Sequence, residues 1–274
     1  MRRGGASVVW LVVGVTLVLA GGVSVYLSEE IADEGAFASR AVDALRDGSV
    51  RRVVAREVAT QLAARSELLE VPRDELEEAV YRGIRTPTFE RSFRAAAEAT
   101  HAALFEGGGD RVAFDVTDAG SALLPALESV APGLDDRFPV QVEARLLEID
   151  GLSFGVRTLR VADDLRTVGP ILLLAGLAAL AAGVAIAPDR RRAATRAALG
   201  IGGAAALLVV LLVLFGDVVV EGVRGDYVLS GDDVGPAAEG VWSAYTGDLT
   251  TWALVLAGLG LGSGIASAWL ARAP

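Results

Sequence analysis

Two apolar runs set back to back around a tight basic turn constrain this chain more than any other feature. Val168 to Ala187 is twenty residues without a charge, and Ala197 to Phe215 is nineteen. Between them stands Pro188-Asp189-Arg190-Arg191-Arg192. At about 1.5 Å of rise per residue, each run as a helix covers roughly 30 Å, the hydrocarbon thickness of a bilayer. A membrane hairpin with its basic elbow in the cytoplasm is the reading.

Two further blocks match it. Ala6 to Leu27 follows Met1-Arg2-Arg3 and is twenty-two residues long, beyond the usual apolar core of a secretion signal. Trp10 and Tyr26 mark its two interfaces. A retained anchor is therefore expected; the alternative is a cleaved signal with Val18 and Ala20 at the −3 and −1 positions. The last block, Trp252 to Leu270, carries a tryptophan near each end. The expected order is a cytoplasmic N-terminus (1–5), span one (6–27), an extracytoplasmic domain (28–167) and span two (168–187). A basic turn (188–196), span three (197–216), an acidic outer loop with an interfacial segment (217–251), span four (252–270) and a cytoplasmic C-terminus (271–274) complete it. The fold class is an all-α membrane protein with a mainly helical outer domain and room for a short two-stranded β ribbon.

Charge supports that sidedness. The net charge is −10, and all 25 basic side chains are arginine. The pieces assigned to the cytoplasm hold Arg2, Arg3, Arg190, Arg191, Arg192, Arg196 and Arg272 against the single acid Asp189. The other 18 arginines and 34 acids fall outside. Arginine near span ends belongs on the inner side. An acidic exterior disfavours nucleic acid as a partner and argues against docking of the outer domain on anionic headgroups. Cysteine is absent, which excludes disulfides and thiol chemistry.

Within 28–167 the apolar positions fall at helical spacing. Ala36 to Leu45 reads as one helix, stopped at Asp47-Gly48, with Ser49 as cap of the next. Val50, Val53, Val54, Val58, Leu62 and Leu69 make that second helix's stripe. Pro72 suits a first turn, and Leu76, Val80 and Ile84 continue an inner face. Thr86 caps a fourth helix whose one side is Phe89, Phe93, Ala96, Ala97, Thr100 and Leu104. After a stop at 107–110, Val112 to Val116 alternates as a strand, and Thr117 or Asp118 caps a helix to Val130. Pro139 to Ile149 can pair with the first strand. Val156 to Thr167 reads as helix running into span two. The outer loop's middle is expected to be irregular, and Val241 to Leu249 an interfacial helix.

Few residues carry a chemical signal. Gly258, Gly260, Gly262 and Gly264 form two interleaved small-xxx-small pairs, which let another helix approach closely. Packing inside the chain's own bundle is the plainer reading; a homo-oligomer or partner helix is the other. His101, the sole histidine, could switch protonation in an acidic envelope, although a half-buried, hydrogen-bonded imidazole is the more common role. Asp110, Asp115, Asp118, Asp232 and Asp233 offer hard oxygen ligands without the spacing of a calcium loop, and capping or turn chemistry explains Asp110 and Asp118 without a metal. Glu77-Glu78 and Asp135-Asp136 read as solvated surface. No catalytic residue, metal site or cofactor is expected: there is no G-x-S-x-G elbow, and the glycine run matching a nucleotide motif lies inside a span. The spans hold no Asp, Glu, Arg or His, which disfavours ion or proton transport by this chain alone.

The segments Thr86-Pro87-Thr88-Phe89 to His101-Ala102-Ala103-Leu104, Ala187 to Arg192, and Val241-Trp242 to Trp252-Ala253 carry a resemblance. The chain is similar to a family of uncharacterised actinobacterial integral membrane proteins, with one span, a helical extracytoplasmic domain and then three spans. That resemblance implies no activity. The span order also resembles permeases of the macrolide-exporter and cell-division ABC type. The amphipathic cytoplasmic helix before span one and the coupling segment between spans two and three are missing. The expected function is a non-enzymatic envelope scaffold or binding protein in the plasma membrane, with a protein or cell-wall partner outside. The alternative is an accessory or permease-like subunit of an export complex.

Overall fold

The computed structural model describes residues 2–65, 72–106, 111–116, 119–129, 144–150, 153–225 and 232–270. Nine helices and two strands follow one another in these segments: α1 (Arg2–Glu30), α2 (Glu34–Leu45), α3 (Gly48–Arg65), α4 (Arg73–Ile84), α5 (Pro87–Glu106), β1 (Arg111–Val116), α6 (Ala119–Glu128), β2 (Ala144–Asp150), α7 (Ser153–Ala185), α8 (Arg190–Gly225) and α9 (Val234–Leu270). Four helices are long and apolar enough to cross a membrane: Gly5–Glu30, Leu165–Ala185, Arg190–Gly222 and Val234–Ser267. The chain divides into two compact units. One comprises residues 1–32, 161–217 and 246–274, and the other residues 33–160 and 218–245.

The first unit holds the apolar helices. Along the facing sides of α1 and α7, glycine alternates with a large apolar residue. Leu11 meets Gly183, Gly14 meets Leu180, Val18 meets Gly176, Gly21 meets Leu173, and Val25 meets Gly169. The residues advance by three and four on α1 while retreating by three and four on α7. That is an antiparallel heptad seam in which every knob enters a site vacated by a missing side chain. A Cβ added at Gly176 would stand 2.6 Å from the Val18 amide nitrogen, and one at Gly21 would stand 2.5 Å from that of Leu173. The Ser7 hydroxyl, nearer the N-terminus, donates across the same seam to the Gly183 carbonyl at 2.8 Å. Ala193 of α8 joins Leu11 and Leu180 in a small core flanked by Val15, Val18, Val184, Ala197 and Ile201.

The second unit has a larger apolar core. Leu45, Val58, Leu76, Val80, Ile84, Phe89 and Leu123 are fully buried, drawn from α2 through α6. The Phe89 and Phe93 rings stack at 6.2 Å. Gly83 lets α4 close on α6, where a Cβ would stand 2.6 Å from Leu123 Cδ2. β1 and β2 pair antiparallel from Arg111 opposite Asp150 to Val116 opposite Ala144, with an irregularity at Phe114/Asp115. Strand β2 begins at Ala144, and residues 139–143 of the expected segment lie outside the described residues, as do Leu69, Thr117 and Asp118.

Helix ends carry side-chain caps. Asp33 Oδ1 accepts the Ala36 amide at 2.9 Å, and Thr86 Oγ1 accepts that of Phe89 at 3.3 Å. At α3 the expectation of Ser49 as cap is corrected. Asp47 Oδ1 accepts the amides of Ser49 and Val50 at 2.8 and 3.2 Å, so the helix starts two residues earlier, at Gly48. Pro72 stands at the N-cap of α4 rather than in its first turn. Two helices extend beyond the expected spans. Helix α8 continues past Phe215 to Gly225, and α9 runs unbroken from Val234 to Leu270, absorbing the interfacial segment and span four into one helix. No breaker separates them: the Thr250 and Thr251 hydroxyls fold back onto the carbonyls of Thr246 and Gly247, at 2.9 Å each.

Candidate functional site

His101, the sole histidine, is the side chain the sequence singles out by its rarity. Helix α5 carries it on the flank of the Phe93–Ala97 face, and it is only 5% exposed. Its ring lies 5.4 Å from that of Phe37 on α2, and the Phe37 ring in turn lies 5.4 Å from that of Tyr245 of α9. The Tyr245 hydroxyl donates to the Phe37 carbonyl at 3.1 Å. Phe37 thus bridges an imidazole and a phenol, and three helices meet on its ring. A buried imidazole tilted against a phenyl ring packs α5 against α2. Sequence reading reached His101 by its rarity, but Phe37 and Tyr245 gave no signal because they are 208 residues apart.

A second cluster was not foreseen. Asp233, just ahead of α9, receives Arg52 Nε on Oδ1 at 3.0 Å and Arg56 Nη2 on Oδ2 at 2.9 Å. Arg56 also lies 3.8 Å from Glu77. The Arg56 hydrogen bond, followed by that of Arg52 and the charge of both, holds the Asp233 carboxyl below its ordinary value against the opposing effect of burial. Asp233 is thus committed to two guanidiniums, and Asp232 beside it is exposed. No group of three metal-ligating side chains gathers among the described residues. Asp110, Asp118, Asp135 and Asp136 lie outside those residues, and for Asp115 only the backbone is described.

The four glycines of α9 separate into two roles. A Cβ at Gly260 would stand 2.6 Å from both the Ala198 carbonyl oxygen and Gly202 Cα, and Gly264 is pressed against the Leu199 side chain. Gly258 and Gly262 have nothing within 4 Å of an added Cβ. So α8 takes one small-xxx-small pair, and the other faces open space.

Apart from Ser7, which bonds across the seam, several hydroxyls in the apolar helices turn back on their own backbones. Thr16 donates to the Val12 carbonyl, Ser28 to Val25, Ser263 to Gly260 and Ser267 to Ser263. Such back-bonding commits the hydroxyl's one proton locally and leaves only its oxygen lone pairs. No protein-family model, curated protein or solved structure matches this chain.

Proposed function

We propose that this chain is a non-enzymatic scaffold or binding protein of the plasma membrane, anchored by four spans and working through the helical domain 28–167 on the extracytoplasmic side. The observation that carries the reading is the arginine distribution: seven against one acid in the pieces assigned to the inner side, 18 against 34 elsewhere. Two structural facts support it. The second unit has its own buried core, as a domain that binds a partner needs. The hydroxyls of Thr16, Ser28, Ser263 and Ser267 each donate to a carbonyl of their own helix, which removes four proton donors from any solute path through the bundle. The partner class is an exported protein or a cell-wall component, with no nucleic acid.

The absence of cysteine makes the test direct. Ala95→Cys on exposed α5 should react with a membrane-impermeant maleimide in intact cells, and Ala194→Cys beside the basic turn only after permeabilisation. The reverse pattern would overturn the sidedness. Crosslinking in intact cells should then recover exported or membrane proteins. Recovery of an ATPase instead would favour the alternative, an accessory or permease-like subunit of an export complex.

A further inference from the structure

Seven residues at the head of α8 hold four arginines, yet only one has an acidic partner. Asp189 caps the helix by accepting the Arg192 amide on Oδ1 at 3.1 Å, and its Oδ2 pairs with Arg192 Nε, also at 3.1 Å. The single acid of the turn is thereby spent. Arg190, Arg191 and Arg196 are exposed and make no ion pair among the described residues. Ala193, Ala197 and Ile201, a turn apart, pack toward Leu11 and Leu180 and fix which side of α8 faces inward. Arg191 and Arg196 stand off that line, and Arg190, the first residue of the helix, is exposed although it lies on that line's side. At about 1.5 Å per residue, Arg190 to Arg196 spans about 9 Å, similar to one headgroup layer outside the hydrocarbon core.

We propose that the α7–α8 turn binds the headgroup phosphodiester of anionic glycerophospholipids through Arg190, Arg191 and Arg196. Three uncompensated guanidiniums at that depth meet the lipid phosphates first, and each presents forked donors matched to two phosphate oxygens. The free amides at the start of α8 add positive potential in the same place. Insertion bias alone would require positive charge near this turn; lasting lipid retention requires in addition that the charge stay unpaired after folding, which is the arrangement seen. The inference needs only that α7 and α8 cross the bilayer, whichever side the turn faces, so it stands or falls separately from the proposed function.

Native mass spectrometry of the full chain in mild detergent tests it, with phosphatidylglycerol and phosphatidylcholine of equal acyl length as probes. The wild-type chain should retain phosphatidylglycerol in preference. Arg190→Gln/Arg191→Gln/Arg196→Gln should lower that retention by about tenfold or more, given the usual contribution of each basic residue at a charged membrane surface. Arg85→Gln/Arg91→Gln, in the other unit, should leave it unchanged. Equal retention of both lipids, or an unaltered triple variant, overturns the proposal. Displacement of phosphatidylglycerol by an equal concentration of inorganic phosphate also overturns it, and points to a soluble anion. Should the triple variant fail to fold or insert, the wild-type chain still decides. Retention that does not fall as salt rises to about 1 M, where screening reaches within about 3 Å, contradicts an exposed ionic contact.

Discussion

Gly14 of α1 lies so close to Leu180 of α7 that a methyl group on the glycine would stand 2.8 Å from the leucine's backbone nitrogen. Backbone cannot rotate away as a side-chain tip can, so the helices themselves must part. Lipid tails are as apolar as Leu180, and close packing supplies the attraction that the hydrophobic effect supplies in water. Gly14→Ala, Gly21→Ala and Gly176→Ala should each destabilise the chain by about 1–3 kcal/mol, the usual cost of overpacking. Gly22→Ala, with open space around it, should be neutral or slightly stabilising, since alanine is the better helix former. Thermal unfolding in detergent micelles reads the contrast. Equal effects at Gly21 and Gly22 would remove the seam from the account.

The same comparison separates the α9 glycines. Gly260→Ala drives a methyl group into the Ala198 carbonyl and the Gly202 backbone, so the α8–α9 pair should loosen by about 1–3 kcal/mol. Gly258→Ala and Gly262→Ala meet nothing and should leave the melting temperature within about one degree of wild type, because isolated surface changes are small. If Gly258→Ala shifts the melting temperature as much as Gly260→Ala does, the open pair is filled in solution by something the single chain does not supply.

The four apolar helices were legible because a charge inside a span is so costly that its absence over about twenty residues is itself the signal. The heptad seam was written in the sequence too, as Gly14 and Gly21 against Gly169, Gly176 and Gly183, each seven apart. It was masked by a chain with 32 glycines, in which only the pairing of two distant helices gives the spacing meaning. The inner faces around Leu76, Val80 and Ile84, and around Phe89, Phe93 and Ala97, followed from period 3.6 and are buried. Helices α8 and α9 run beyond the expected spans because hydropathy marks where a membrane ends, whereas a helix ends only where the backbone is forced to leave it. Asp233 and Arg56 are separated by 177 residues and share no local pattern, so nothing short of the fold could join them.

The cap of α3 offers a test between neighbours. Asp47 and Ser49 are both capping residue types, yet only Asp47 holds the first amides of α3, and an acid there also favours the positive helix end. Asp47→Ala should cost about 1 kcal/mol, whereas Ser49→Ala should stay within about 0.5 kcal/mol of wild type. Chemical denaturation followed by circular dichroism measures both. A larger loss at Ser49 would return the cap to that residue.

Asp233 brings a pH dependence whose sign is fixed by the direction of its shift. The two arginines hold its folded-state carboxyl below the ordinary value of 3.8, so the ionised form is favoured by folding. Its stabilising contribution is therefore complete above about pH 4–5 and is lost as pH falls through the lower folded-state value. The carboxylate is 24% exposed and its partners 49% and 32%, so solvent screens the pairs. A net contribution of about 1 kcal/mol is expected rather than the larger figure of a buried bridge. Asp233→Asn should lower stability by about that amount at pH 7 and by progressively less below about pH 4, where the wild-type side chain is itself becoming neutral. Arg56→Gln in the Asp233→Asn background should then add less than Arg56→Gln alone, because the pair has already been broken. The double-mutant cycle at pH 7 measures that difference; a coupling energy of zero would mean that the 2.9 Å contact contributes nothing to holding α9's start against α3.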